Sequence, residues 1–146
     1  METETKKKFE DLEFVMVTQP LLFHNIPRYL FEQVKDRSFD IDRLYRLSER
    51  LLSDPTQLFY VLVDEDKKIK GIFWAGANVL ENSIDVILLS IDKEYQFSDV
   101  IKKTLDFIDT FQKNATVKIL ASRTAAYEKA GFKKTKILME IQNNKK

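Results

Sequence analysis

Eight residues near the middle of the chain, Ile84-Asp-Val-Ile-Leu-Leu-Ser-Ile91, place apolar side chains on both faces of an extended backbone. A strand of that kind must be covered on each side, so it predicts the centre of a sheet with helices on both faces. Two further runs precede it. Leu58–Val63 is dense in aromatic and β-branched residues, and Ile69–Ala77 reads as a second strand after the polar cluster Asp64–Lys68. That cluster is turn-like, so the two runs predict a hairpin. The connection Asn78–Ser83 then leads into the central strand, which makes the three a meander.

The flanking segments read as helices and outer strands. Phe14–Val17 is a short apolar run stopped near Pro20. Asn25 and Pro27 suit a helix start, and Ile26, Tyr29, Leu30 and Val34 recur at helical spacing. Ser38-Phe39-Asp40 predicts a break and a fresh cap. A second stripe follows (Ile41, Leu44, Tyr45, Ser48, Leu51, Leu52) and must end before Asp54-Pro55, because proline disfavours helical geometry in the residue before it. Ser98 is placed to cap a helix reaching about Lys113. Thr116–Ala121 reads as a strand, a short helix carries Tyr127 to Gly131, and alternating residues from Phe132 to Ile141 predict a last strand. A helix commonly ends on a residue in left-handed geometry, which glycine adopts without steric cost. The order is β-α-α-β-β-β-α-β-α-β, an α/β (α+β) chain with a mixed, mostly antiparallel sheet.

Composition narrows the function. At 146 residues the chain predicts one domain, 1–146, with 1–10 and 143–146 as solvated ends. Lys and Arg total 24 against 23 Asp and Glu, which gives no general attraction to nucleic acid or an anionic membrane. The clusters Lys6-Lys7-Lys8 and Lys133-Lys134-Lys136 are flanked by acids and read as solvated surface. With no cysteine and one histidine, His24, neither a thiolate nor a multi-histidine metal centre can form. No apolar run reaches the roughly 18 residues needed to cross a bilayer, and Met1–Lys8 lacks the apolar core of a signal peptide. A cytoplasmic location is the expectation.

The segment Tyr127-Glu-Lys-Ala-Gly-Phe132 resembles the last helix and strand of the GCN5-related N-acetyltransferase (GNAT) family, whose element order the whole chain also resembles. The resemblance implies acetyl-CoA as cofactor and an amine-bearing small molecule or protein as acceptor. It implies that the pantetheine arm lies beside the central strand, on backbone groups of Leu89 and Ile91, where that strand splays from its neighbour. It places Asp85 where part of the family carries a general base, and Tyr127 where a general acid protonates the departing thiolate. In the family a loop of pattern Gln/Arg-x-x-Gly-x-Gly/Ala then holds the pyrophosphate on bare N–H groups at a helix start. Here the loop reads Gln96-Phe-Ser98-Asp99-Val-Ile101. Gln96 matches, and Ser98 falls within the loop, but Asp99 and Ile101 replace the glycines. Asp99 sets a negative charge beside an anionic ligand, and Ile101 a branched side chain where close backbone approach is wanted.

Each of these residues also has a structural reading. Leu89 and Ile91 suit a core, Asp85 an edge or a lysine pair, Tyr127 an aromatic packed on the sheet, and Asp99 an acid favouring the helix dipole. His24 reads as a loop or cap residue and Trp74 as a core or edge aromatic. Two functions therefore compete. One is an acyl-CoA N-acyltransferase, with the loop departures weighing against its catalytic competence. The other is a non-catalytic module of the same fold that binds a protein partner or serves an assembly, including a viral particle.

Overall fold

A computed structural model of the protein describes residues 11–34, 40–120 and 125–135. Among those residues the sheet has five strands in the order β1-β2-β3-β4-β5: β1 (Glu13–Met16), β2 (Gln57–Val63), β3 (Ile69–Asn78), β4 (Ser83–Ile91) and β5 (Thr116–Ile119). The first four are antiparallel in sequence order, and β4 and β5 are parallel. Four short helices lie between β1 and β2: α1 (Pro20–His24), α2 (Arg28–Glu32), α3 (Ile41–Arg46) and α4 (Ser48–Ser53). The crossover α5 (Phe97–Phe111) joins β4 to β5, and α6 (Ala125–Lys129) follows.

The sheet divides two cores. On one face Phe59, Val61, Ile72, Trp74 and Leu88 pack beneath Phe23, Leu30, Phe31, Ile41 and Leu44 of α1–α3. On the other, Leu62, Phe73, Ala75, Val86 and Leu89 pack against Val100, Ile101 and Ile108 of α5. Alternation along each strand makes this two-sided burial possible, and it accounts for the apolar density of the central runs. Phe14 of β1 stacks on Phe107 of α5 at 4.2 Å between centroids, fixing the sheet edge to the crossover helix.

Local chemistry explains where the helices depart from expectation. Pro20 does not simply end β1; it opens α1, where the missing N–H costs nothing. Asn25 closes α1 instead of capping the next helix, with its N–H on Leu22 O at 3.1 Å. Pro27 disfavours helical geometry at Ile26, so α2 starts afresh. Asp40 caps α3 as expected, accepting from Arg43 N at 3.1 Å. Leu47 (φ −97°, ψ 5°) divides the second expected helix into α3 and α4. Ser98 is the second residue inside α5 and not its cap; Gln96 takes that position without a side-chain cap bond.

The β2–β3 turn is held by Asp64, whose Oδ1 accepts from Asp66 N and Lys68 N, each at 2.9 Å. At the β3–β4 connection Val79 and Leu80 are exposed, Leu80 fully. Ser38, Phe39 and most of the expected last strand lie outside the described residues. Its described part, Phe132–Thr135, is without regular structure.

Candidate functional site

The register of β3 against β4 slips once. Trp74 opposes Leu88 and Ala75 opposes Val86, which leaves Ile87 as an extra residue in β4. Ile87 and Leu88 consequently both face α1–α4, while Val86 and Leu89 both face α5. Such a bulge bends its strand and sharpens the local twist. Pairing with β5 ends at the same place, since it runs only from Ser83 to Val86. All four residues of β5 are used in that pairing, and among the described residues no strand covers the far edge of Ile87–Ile91.

The side chains of Leu89 and Ile91 are buried in the α5-side core. The backbone of Ile91 is already engaged: its carbonyl accepts from Gln33 Nε2 at 2.8 Å, and the same amide donates to Ser90 Oγ at 2.6 Å. A carbonyl has two lone pairs, so one remains. Tyr29, one turn before Gln33, donates its hydroxyl to Asp92 Oδ2. Burial, then the hydrogen bond and charge of Asp92, hold the Tyr29 hydroxyl well above the usual tyrosine range. Lys70 Nζ meets Glu94 at 2.8 Å, a contact that raises the lysine above its ordinary value. The end of β4 is therefore pinned on one side to α2 and on the other to β3.

At the start of α5, Gln96 is exposed, and its carbonyl accepts from Asp99 N and Val100 N, each at 3.2 Å. The amides of Phe97 and Ser98 stand outside the helical ladder, as the first N–H groups of any helix do. Ile101 is only 1% exposed and points into the core. It therefore does not project onto the helix tip, as the loop pattern alone suggests. Asp99 sits in the first turn, half-buried, where an acid favours the helix dipole.

Tyr127 is fixed by the way α6 stops. Gly131 has φ +101°; its N–H bonds Glu128 O at 3.0 Å, and Phe132 N–H bonds Tyr127 O at 3.1 Å. This left-handed stop brings the Tyr127 and Phe132 rings edge to face at 5.6 Å, and Phe97 meets Tyr127 at the same distance. Tyr127 and Phe132, with Val86, Leu89, Ile101 and Ile119, line a cavity of about 10 Å³ between α5 and the sheet. That is about the room one water requires.

Asp85 lies on the opposite face. It directly precedes Val86, so alternation turns it away from α5 and toward the side of Trp74. It is exposed and makes no ion pair among the described residues; Lys118, its partner in register, meets Glu81 at 3.7 Å. Asp85 and Tyr127 are thus not brought together on one face. They flank the end of the β4–β5 pairing from either side. His24 ends α1 against the Tyr45 ring at 4.6 Å, and Trp74 is buried in the core.

Gln33 and Tyr29 were missed by sequence reasoning. Their spacing of four residues on a helix places them on one face, and a polar pair there was the available signal. Among the described residues no helix is long and apolar enough to cross a membrane, and no group of three or more His, Asp or Glu is placed to hold a metal.

No protein-family model matches the sequence, and neither does any curated protein. Solved structures do match. An aminoglycoside 6'-N-acetyltransferase from Acinetobacter baumannii aligns with TM-score 0.66 at 11% identity, over 91% of this chain and 98% of that one. Spermidine N-acetyltransferase from Vibrio cholerae, in complex with CoA and spermine, aligns with TM-score 0.67 at 19% identity, over 92% and 89%. An aminoglycoside acetyltransferase from an uncultured soil metagenomic sample, in complex with sisomicin, aligns with TM-score 0.64 at 17% identity, over 94% and 98%. With its bulged β4, its parallel β4–β5 pair and these neighbours, the chain has the GNAT acetyltransferase fold.

Proposed function

We propose that the protein is an acetyl-CoA-dependent N-acyltransferase acting on an amine-bearing acceptor. The observation that carries this reading is the coincidence of the Ile87 bulge with the end of β4–β5 pairing, flanked by Asp85 on one face and Tyr127 on the other. Backbone groups of Leu89 and Ile91, along the edge that no described strand covers, would hold the pantetheine arm, and the amides of Phe97 and Ser98, beside Gln96, the pyrophosphate. Acetyl-CoA, when bound, supplies the acyl thioester. Asp85, open to solvent, would take the proton of the incoming ammonium directly or through a water. Tyr127 would give the proton of its Oη to the leaving sulfur. Base and acid on opposite faces suit a reaction in which the amine arrives from one side of the sheet and the thiol leaves on the other.

Asp99 and Gln33 favour a second reading, in which the fold persists as a non-catalytic module for a protein partner. The acid stands at the helix start, and the Gln33 amide already occupies the Ile91 carbonyl. Calorimetric titration with acetyl-CoA, paired with a thiol-release assay on a panel of amines, separates the two. Binding with turnover that Asp85→Asn and Tyr127→Phe each reduce supports the enzyme. Absence of binding supports the module.

A further inference from the structure

One row of residues crosses four strands in register: Gln57 of β2 opposes Gly76 of β3, Gly76 opposes Asp85 of β4, and Asp85 opposes Lys118 of β5. The row lies on the α1–α4 face, just beyond the part those helices bury, and none of its four members is buried. Gly76 leaves its centre bare. Among the described residues a Cβ there would meet only Gln57 Nε2, at 3.6 Å.

Gln57 is oriented by its neighbour. Trp74 Nε1 donates to Gln57 Oε1 at 2.7 Å. Indole nitrogen is a donor only, so the oxygen of the amide must face it, and the NH₂ group must face the other way. Nε2 therefore turns toward the bare backbone of Gly76 and has no partner among the described residues. A hydrogen-bond donor and a carboxylate thus stand about two strand spacings apart, roughly 10 Å between Cα atoms, with a side-chain-free floor between them.

We propose that Gln57, positioned by Trp74, is a specificity-determining residue that selects acceptors carrying an oxygen several atoms from the reacting amine. The amine lies against Asp85, the ligand spans Gly76, and a hydroxyl, ether or carbonyl oxygen accepts from Gln57 Nε2. Amino sugars and amino alcohols meet this requirement; linear polyamines, which have no oxygen, leave the donor unmet. The inference rests on the face of Asp85 being the acceptor side of the proposed enzyme.

The test is direct binding of glucosamine and of spermidine, by titration calorimetry or NMR in the absence of acetyl-CoA. Gln57→Glu keeps an oxygen for Trp74 and replaces the donor by an acceptor. It should weaken glucosamine by up to about tenfold, the cost of one lost hydrogen bond, while spermidine binds unchanged or tighter. Gly76→Ala should weaken both ligands. A ratio of affinities that Gln57→Glu does not move overturns the proposal, as does failure of glucosamine to bind the natural chain. Thiol release from acetyl-CoA is measured separately. A moved ratio without acetyl transfer keeps the site and removes the enzyme; transfer with an unmoved ratio does the reverse.

Discussion

The chain has three glycines, and alanine at each should change stability with a different sign or size. At Gly131 a new Cβ meets nothing within 4 Å among the described residues, so crowding by them contributes nothing. The whole cost is backbone strain at φ +101°, about 1–2 kcal/mol, offset by about 0.4–1 kcal/mol of lost unfolded-state freedom. The expected net is a loss of about 1 kcal/mol, or a fall in Tm of about 2–4 °C for a domain of this size. At Gly71 a Cβ would lie 2.6 Å from Ile91 Cδ1 and 2.8 Å from Ser90 O. The isoleucine tip can turn away, but the backbone oxygen cannot without moving β4. Overpacking of this kind costs about 1–3 kcal/mol, so Gly71→Ala is the most damaging of the three. At Gly76 the backbone suits any residue and the Cβ meets one amide tip in ordinary contact. Gly76→Ala should be neutral or stabilise by up to about 1 kcal/mol. Urea unfolding followed through circular dichroism and the single tryptophan, Trp74, measures all three. A Gly131→Ala variant as stable as the natural chain refutes the left-handed stop of α6. A Gly71→Ala variant no worse than Gly131→Ala refutes the close approach of β3 to β4.

Further outcomes are expected elsewhere. Gln33→Ala removes two hydrogen bonds and should destabilise the chain by about 1–2 kcal/mol in the same unfolding assay, while freeing the Ile91 carbonyl and tightening acetyl-CoA. Unchanged cofactor affinity would dissociate that carbonyl from the binding edge. Tyr29 has its hydroxyl raised above the unfolded value near 10 by burial and Asp92, and burial raises Tyr60 and Tyr95 in the same direction. The stability that Tyr29 contributes is complete below pH 10 and is lost as the pH rises from there toward its folded value, because the unfolded chain ionises first. Denaturation midpoints followed across that range should fall less steeply in Tyr29→Phe than in the natural chain; identical slopes would remove the Tyr29–Asp92 contact from the account. Asp99→Gly should improve acetyl-CoA affinity by relieving repulsion at the start of α5 while costing about 1 kcal/mol of helix stability. Equal titration curves would show that the acid does not face the ligand.

Much of the architecture was legible because it rests on periodicity. The two-sided apolar run of β4 demanded cover on both faces, and Asp64–Lys68 marked the β2–β3 hairpin through side-chain capping chemistry that acts within five residues. Gly131 disclosed the end of α6 for the same local reason. The splitting of the early helices was less visible, since Asn25 and Pro27 suit either a helix start or a boundary, and Pro20 fits a helix opening as well as a strand end. The candidate site was legible only as far as residue positions in elements. That Asp85 and Tyr127 belong to opposite faces follows from strand alternation at Asp85 together with the packing of α6, which no local pattern carries. The row from Gln57 to Lys118 depends on the registers of four strands, and the hold of Gln33 on β4 spans 58 residues. Ile101 shows the converse: aligned with a glycine motif it reads as an obstruction, yet the amphipathic phase of α5 turns it inward.

The stop of α6 ties two events together. Phe132 and Tyr127 are both the hydrogen-bonded close of a five-residue helix and part of the cavity wall beside Leu89. A helix that short holds little cooperative stability of its own. Fraying of its last turn would therefore withdraw the wall, so the crevice widens through a local opening and leaves the sheet intact. The exchange rate of the Phe132 amide is then a reporter of access to β4, and a ligand seated along that strand should change it without changing protection in β2 or β3.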